Sequence, residues 1–135
     1  MAAVDSTGVC VMASSAGKPM PGISATDNAM LIEAIAGGEW DEARFLEVGE
    51  RVFNLERLLN LREGFGSADD TLPERFFTEP LTVGKKAGAV LDRDAFRQSL
   101  VDWCAERGWD PETAAPGADK LAELGLSKEG EALDG

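Results

Sequence analysis

The run from Phe45 to Leu59 restricts the fold of this chain more than any other feature. Apolar residues recur there at intervals of three and four, which puts them on one stripe of an α-helix. The stripe consists of Phe45, Val48, Val52, Leu55 and Leu59, and Leu58 and Leu61 widen it. The other faces carry Glu47, Glu50, Arg51, Asn54, Arg57 and Asn60. We expect a central helix that buries Leu55, is packed from two directions and ends at Gly64.

Three further helices are predicted around this one. Ser24 or Thr26 starts the first, because these residue types favour the N-cap, and Gly37-Gly38 ends it. Its shared apolar face consists of Met30, Leu31, Ala34 and Ile35. The next helix follows the N-cap residue Asp92 and ends at Gly108. Its inward side chains are Phe96, Leu100 and Trp103, and a short last helix runs from about Pro116 through Leu121 and Leu124.

The remaining segments read as connections. Residues 64–90 are mostly loop, with one short turn at residues 73–77, and a loop of that length is usually functional or packed on a partner. Residues 1–23 are small and weakly patterned. No alternating strand pattern of useful length occurs, and 135 residues suit one domain. We therefore expect an all-α, helical bundle-like single domain over residues 1–135.

Composition narrows the classes of partner. The net charge is −12, from 25 acidic and 13 basic residues, and such a surface repels nucleic acid and anionic lipid. No run of 18 apolar residues is present to cross a membrane, and the start of the chain lacks the pattern of a signal peptide. Two cysteines do not form a disulfide framework, and histidine is absent. A reducing cytoplasm is the expected location.

Three clusters could carry chemistry. Cys10 is either a small buried hydrophobe or a thiolate ligand to iron, and a four-iron cluster would need three more ligands from elsewhere. The second cluster is a set of charged residues around the start of the loop: Arg57, Arg62, Glu63, Asp69, Asp70, Glu74 and Arg75. This set is either an active site or, as we favour, a salt-bridged structural corner in which Asp70 or Thr71 caps the turn. The segment Trp103–Asp110 is interpreted as core packing by Trp103, and Cys104 is assigned no metal.

The order of these segments resembles the C-terminal part of the tungsten-containing aldehyde:ferredoxin oxidoreductases. The block from Asn54 to Pro80, with its Leu-Pro-Glu-Arg turn, carries most of the resemblance. The segment Trp103–Asp110 resembles the family's Tyr-Tyr-x-x-Arg-Gly-Trp-Asp ending, although Trp-Cys replaces the tyrosines. Asp5, Gly8 and Cys10 match the family's Asp-x-x-Gly-Leu-Cys motif, with valine in place of leucine. The resemblance extends over about residues 4–126.

This resemblance implies cofactors and partners. Asp5 would accept hydrogen bonds from the N–H groups of a pterin that binds tungsten or molybdenum. The backbone at Gly8, Val9 and Cys10 would approach the pterin, and the Cys10 sulfur would bind iron of a 4Fe–4S cluster. The family's upstream pterin-binding domain, three-cysteine motif and catalytic acid and histidine are missing, so the chain would not be catalytic alone. Its partners would be that upstream domain or subunit and ferredoxin or another electron carrier.

Two functions remain open at this point. The chain is either part of an oxidoreductase that converts aldehydes to carboxylic acids, or a non-catalytic helical interaction module that has lost its cofactors. The sequence leaves the aldehyde, the metal and the electron acceptor open.

Overall fold

A computed structural model describes residues 2–8 and 23–132, and the named secondary-structure elements among those residues are all α-helices. The helices are α1 (Ala2–Asp5), α2 (Ala25–Ala36), α3 (Glu42–Arg62), α4 (Arg75–Thr78), α5 (Arg93–Glu106), α6 (Ala118–Glu123) and α7 (Ser127–Glu131). No β-strand occurs in the described part of the chain, where Trp109 and Pro116 form an isolated antiparallel bridge. The all-α class expected from the sequence is confirmed.

Side-chain caps fix where the long helices begin. Ser24 and Asp27 form a reciprocal capping box at the start of α2, each accepting a hydrogen bond from the other's backbone N–H. Asp41 accepts from the Arg44 N–H at the start of α3, and Asp92 caps α5 in the same way. The starts predicted at Ser24 and Asp92 are therefore confirmed.

Glycines mark where the same helices end. Gly37, Gly64 and Gly108 have φ of 73°, 89° and 68°, in the left-handed region that other residues seldom adopt. All three stops were expected from the sequence. The short helix predicted near Pro116 begins instead at Ala118, because Pro116 is held in the bridge to Trp109.

Helix α3 is the central element, and its N-terminal half packs on α1 and α2. Ala3, Ala29 and Phe45 form one buried cluster there, with Ile32 and Trp40 partly buried around it. Gly49 permits the closest approach, because a Cβ built on it would lie 2.7 Å from the Ala3 Cβ. Helix α1 can therefore rest directly on the α3 backbone.

The C-terminal half of α3 packs against the last third of the chain. Leu58 joins Leu121, Leu124 and Leu126 in a second buried cluster. A third cluster contains Cys104, Trp109 and Ala114, with Phe53 packed against it. The expected packing of α3 from two directions is thus observed.

The predicted identity of the buried residues on α3 is wrong in part. Leu55 is 38% exposed and Leu59 is also exposed, whereas Asn54 and Arg57 are buried. The buried side of α3 is turned towards residues 109–126, where Asn54 and Arg57 find hydrogen-bonding partners. Polar pairing by Asn54 and Arg57, together with the burial of Leu58, therefore sets the orientation of this half of the helix.

Two other apolar sets named from the sequence are exposed: the shared face of α2, and Trp103, which was predicted to point inward. The α2 face with Met30, Leu31 and Ile35 is exposed, because α2 contacts α3 through Asn28 and Ala29. Trp103 is 38% exposed, and Trp109 takes the buried position. Residues 64–90 are mostly loop as predicted, and every residue from position 78 to 92 is exposed.

Candidate functional site

The end of α1 carries the part of the predicted cofactor motif that the structure describes. Asp5 is the last residue of α1, and its side chain is exposed. Its carbonyl accepts a 3.1 Å hydrogen bond from the Gly8 N–H, so a tight turn joins the two motif residues. Gly8 has φ of 72°, and a Cβ built on it would meet none of the described residues within 4 Å. Val9 and Cys10 lie outside the described residues, so only Asp5 and Gly8 are brought together.

Packing and local hydrogen bonds position this turn. Ala3 anchors α1 on Gly49 of α3, while the Ser6 and Thr7 hydroxyls donate to the Ala2 and Val4 carbonyls, each at 2.7 Å. Because Ala3 faces α3, Asp5 points away from the core. The turn therefore presents a carboxylate and an open glycine backbone on the surface, which fits a flat ligand with N–H donors at its edge.

The described residues offer no ready metal centre. No group of three or more cysteine, aspartate or glutamate side chains comes together within residues 2–8 and 23–132. Cys104 is a buried free thiol, and burial raises its pKa, so it is a poor thiolate ligand. Cys10 would supply one thiolate, and a cluster bound by four thiolates would need the others from outside this chain.

The charged block centred on Arg57 is a structural corner. Its guanidinium binds both carboxylate oxygens of Asp70, at 3.0 and 2.6 Å, and Nε donates to the Ala114 carbonyl at 2.8 Å. Ala114 adopts φ of 57°, unusual for a residue with a Cβ, and so stores strain beside this contact. The favoured interpretation is confirmed at Arg57 and Asp70. The predicted cap by Asp70 or Thr71 is wrong, because α4 follows Glu74 without a side-chain cap. The Asp70 carboxylate pairs instead with Arg57, and the Thr71 hydroxyl donates to the carbonyl of the next residue.

A second buried polar pair completes the corner. The Trp109 indole N–H donates to Asn54 Oδ1 at 2.8 Å, and Asn54 Nδ2 donates to the Glu50 carbonyl at the same distance. The Phe53 ring stacks on Trp109 with centroids 5.6 Å apart. Sequence reasoning missed Asn54 because it placed this residue on a face away from the apolar stripe and assigned it no partner. A buried tryptophan needs a partner for its N–H, and that requirement was the available signal.

Comparison with known proteins assigns the chain to a family of metalloenzymes. Residues 1–126 match the family described as "Aldehyde ferredoxin oxidoreductase, domains 2 & 3". This match spans nearly the whole chain, and the chain belongs to the aldehyde ferredoxin oxidoreductase family.

Curated relatives agree with that assignment. The chain is 34% identical over 128 residues to the tungsten-containing aldehyde ferredoxin oxidoreductase of Pyrococcus furiosus, and the match covers 94% of the chain. Identity is 33% to the Pyrococcus horikoshii protein of the same name and 32% to that of Thermococcus kodakarensis, at the same coverage. The chain spans only 20% of the P. furiosus protein.

Proposed function

We propose that this chain is the C-terminal part of a tungsten- or molybdenum-pterin enzyme that oxidises aldehydes to carboxylic acids. The observation that carries the proposal is the family match over residues 1–126. In the proposed reaction, an aldehyde and water give a carboxylic acid, and electrons leave through a 4Fe–4S cluster to ferredoxin or another carrier. The relatives' names include tungsten, aldehyde and ferredoxin, which supports this choice of reaction class.

Asp5, Gly8, Val9 and Cys10 are the proposed cofactor residues. The Asp5 carboxylate would accept hydrogen bonds from the pterin N–H groups, and its exposed position at the end of α1 supports this role. Gly8 and Val9 would let the backbone approach the pterin, and the lack of a side chain at Gly8 favours such an approach. Cys10 would supply one thiolate to the cluster, with the pterin supplying the ligands of the catalytic metal.

The rest of the active site would come from an upstream domain or subunit. We propose that this chain forms one α-helical domain in the cytoplasm and has no activity alone. No helix in the described parts of the chain combines the length and hydropathy that crossing a bilayer requires.

Anaerobic co-production of the chain with the upstream part of its own enzyme tests this function. We expect the pair to contain tungsten or molybdenum and iron, and to reduce an artificial dye when an aldehyde is added. The chain alone should lack the broad visible absorption of an iron–sulfur centre. An upstream part that is equally active without this chain would overturn the proposal and favour a non-catalytic interaction module.

Matched variants of the pair test the residue roles. Cys10→Ser should lower cluster iron, and Asp5→Asn should lower the content of pterin-bound metal. Cys104→Ala is the control, because Cys104 is buried away from the Asp5–Gly8 turn among Trp109 and Ala114, and it should keep both metals. Retention of full iron by Cys10→Ser would show that Cys10 is not a ligand.

A further inference from the structure

A groove lies between α1, α2 and the N-terminal half of α3. Its volume is about 280 Å³, and its walls are mostly apolar. Leu31, Ile32 and Ile35 of α2 form one wall, and Ala3 of α1 contributes to another together with Ser6 and Thr7 of the turn after α1. The groove is therefore continuous with the helix that carries Asp5.

The apolar side of α2 faces outward beside this groove. Met30 is 63% exposed, Leu31 47% and Ile35 86%. Three large apolar side chains within two turns of one helix form a patch of the kind that marks an interface. The same residues were predicted to share one apolar face, and none of the described residues covers them.

The acidic residues around the exposed face of α2 indicate what kind of partner surface could bind there. Residues 23–43 contain five acidic residues and no lysine or arginine. The acidic residues are Asp27, Glu33, Glu39, Asp41 and Glu42. A second copy of this chain would bring acid against acid, since the net charge is −12. A suitable partner instead presents an apolar ridge flanked by lysine and arginine.

We propose that the Met30–Ile35 face of α2 and its groove are the docking surface for the upstream part of the enzyme. The P. furiosus relative is about five times as long as the matched segment, so a large body of protein remains to be placed. A partner seated in the groove would contact α1 and lie beside the Asp5–Gly8 turn. This inference rests on the proposed function, because that function supplies the upstream partner.

Thiol footprinting of Ile35→Cys tests the docking surface, with mass spectrometry reading each site separately. In the chain alone, the introduced thiol should react fast, because position 35 is exposed. In the complex with the upstream part, its labelling should slow at least tenfold. Val101→Cys is the matched control, since Val101 is 40% exposed and lies on α5, outside the groove and outside the long loop; its labelling should change little between the two samples.

Charge substitution gives an independent readout. Ile35→Glu should weaken the complex at least about tenfold, as expected for loss of one buried isoleucine, while Val101→Glu should not change it. Circular dichroism of each variant checks that the helices remain formed. Because Ile35 is exposed in the chain alone, we expect the substitution to leave the fold intact, so a loss of binding would reflect the interface and not unfolding.

The remaining outcomes distinguish a wrong docking surface from a wrong proposed function. Co-elution of the two parts with Ile35→Cys still labelled fast would overturn the docking surface and leave the proposed function standing. Failure of the unmodified parts to co-elute would count against the proposed function itself. Slow labelling of position 35 in the chain alone would also overturn the inference. If the labelling rate then fell with rising protein concentration, a second copy of the chain would be the occupant of the face. If the rate did not depend on concentration, residues 9–22 of the same chain would be the occupant.

Discussion

Arg57 shows how one buried charge can hold distant segments together. It lies on α3, pairs with Asp70 after the helix, and donates to Ala114 in the last third of the chain. Its guanidinium also lies 5.4 Å from the centre of the Trp109 ring. Removing this side chain would leave the Ala114 carbonyl and the Asp70 carboxylate without their partner.

Arg57→Ala should lower the free energy of unfolding by about 3 kcal/mol, since breaking a buried pair is strongly destabilising and Asp70 is partly exposed. Arg62→Ala is the control on the same helix, because the Arg62–Glu63 pair is exposed, and it should cost less than about 1 kcal/mol. Urea denaturation measures both values. Equal effects of the two substitutions would show that the Arg57 network contributes no special stability.

The lowered pKa of Asp110 should make the stability of the fold depend on pH. Hydrogen bonds from the Thr113 hydroxyl and N–H, and from the Glu112 N–H, hold the pKa of this carboxyl below its ordinary value of 3.8. A lowered pKa in the folded state contributes stability above pH 3.8, and that stability is lost as the pH falls through the folded pKa.

Asp110→Asn keeps an acceptor oxygen and removes the titration. We therefore expect the wild type to be more stable than this variant at pH 7, with the difference shrinking below pH 3.8. Thermal unfolding over that pH range measures it. A difference that stays constant across the range would exclude the Asp110 carboxylate as its source.

Local rules predicted the turns and caps of this fold well but not its buried polar residues. Ser24, Asp92 and the three helix-ending glycines act through their own backbone neighbourhood, so sequence is enough to find them. Asn54 is buried only because Trp109, 55 residues further along, meets it in the fold. Asp5 and Gly8 were singled out by their match to a family motif, whereas the turn that joins them and the anchoring of α1 on Gly49 were not predicted.

At the scale of elements, α3 presents two leucines with opposite environments. Leu58 is buried against α6 and the residues that follow it, whereas Leu55 is exposed. Leu58→Ala should therefore lower the free energy of unfolding by about 2–5 kcal/mol, and Leu55→Ala by about 1 kcal/mol or less. Chemical denaturation of both variants tests the orientation of α3. A larger loss for Leu55→Ala would restore the orientation expected from its apolar stripe.

The contact between α1 and α3 depends on the absence of a side chain at Gly49. Gly49→Ala would place a Cβ 2.8 Å from the Ala3 backbone nitrogen, so α1 must shift or detach. We expect faster hydrogen exchange at the amides of residues 3–8, with the rest of α3 still protected. Glu56→Ala, at an exposed position of the same helix, is the control. Unchanged exchange in residues 3–8 would show that α1 accommodates the added methyl group.

At the scale of the whole molecule, contacts across the long loop join the two halves of the chain. The Arg57–Ala114, Asn54–Trp109 and Leu58–Leu124 contacts all connect α3 to residues after position 108. Lys85 and Lys86 lie in the exposed stretch between the halves. Cleavage there breaks one covalent bond and none of these contacts.

Brief trypsin treatment should therefore cut at Lys85 or Lys86 and leave a nicked protein whose fragments co-elute under native conditions. The fragments should separate on a denaturing gel. The nicked Arg57→Ala variant should dissociate more readily, because one of the connecting contacts is lost. Separation of the unsubstituted fragments in native buffer would show that the loop itself holds the halves together.

The exposed stretch from position 78 to 92 also has an evolutionary consequence. Each doubling of a flexible loop's length costs only about 0.6 kcal/mol of closure entropy. Insertions accepted at this site leave the pairing between α3 and the C-terminal third in register, whereas one added residue within α3 would rotate Arg57 away from Ala114. Differences in length among members of this family should therefore accumulate here, and the spacing between Asn54 and Arg57 should stay fixed.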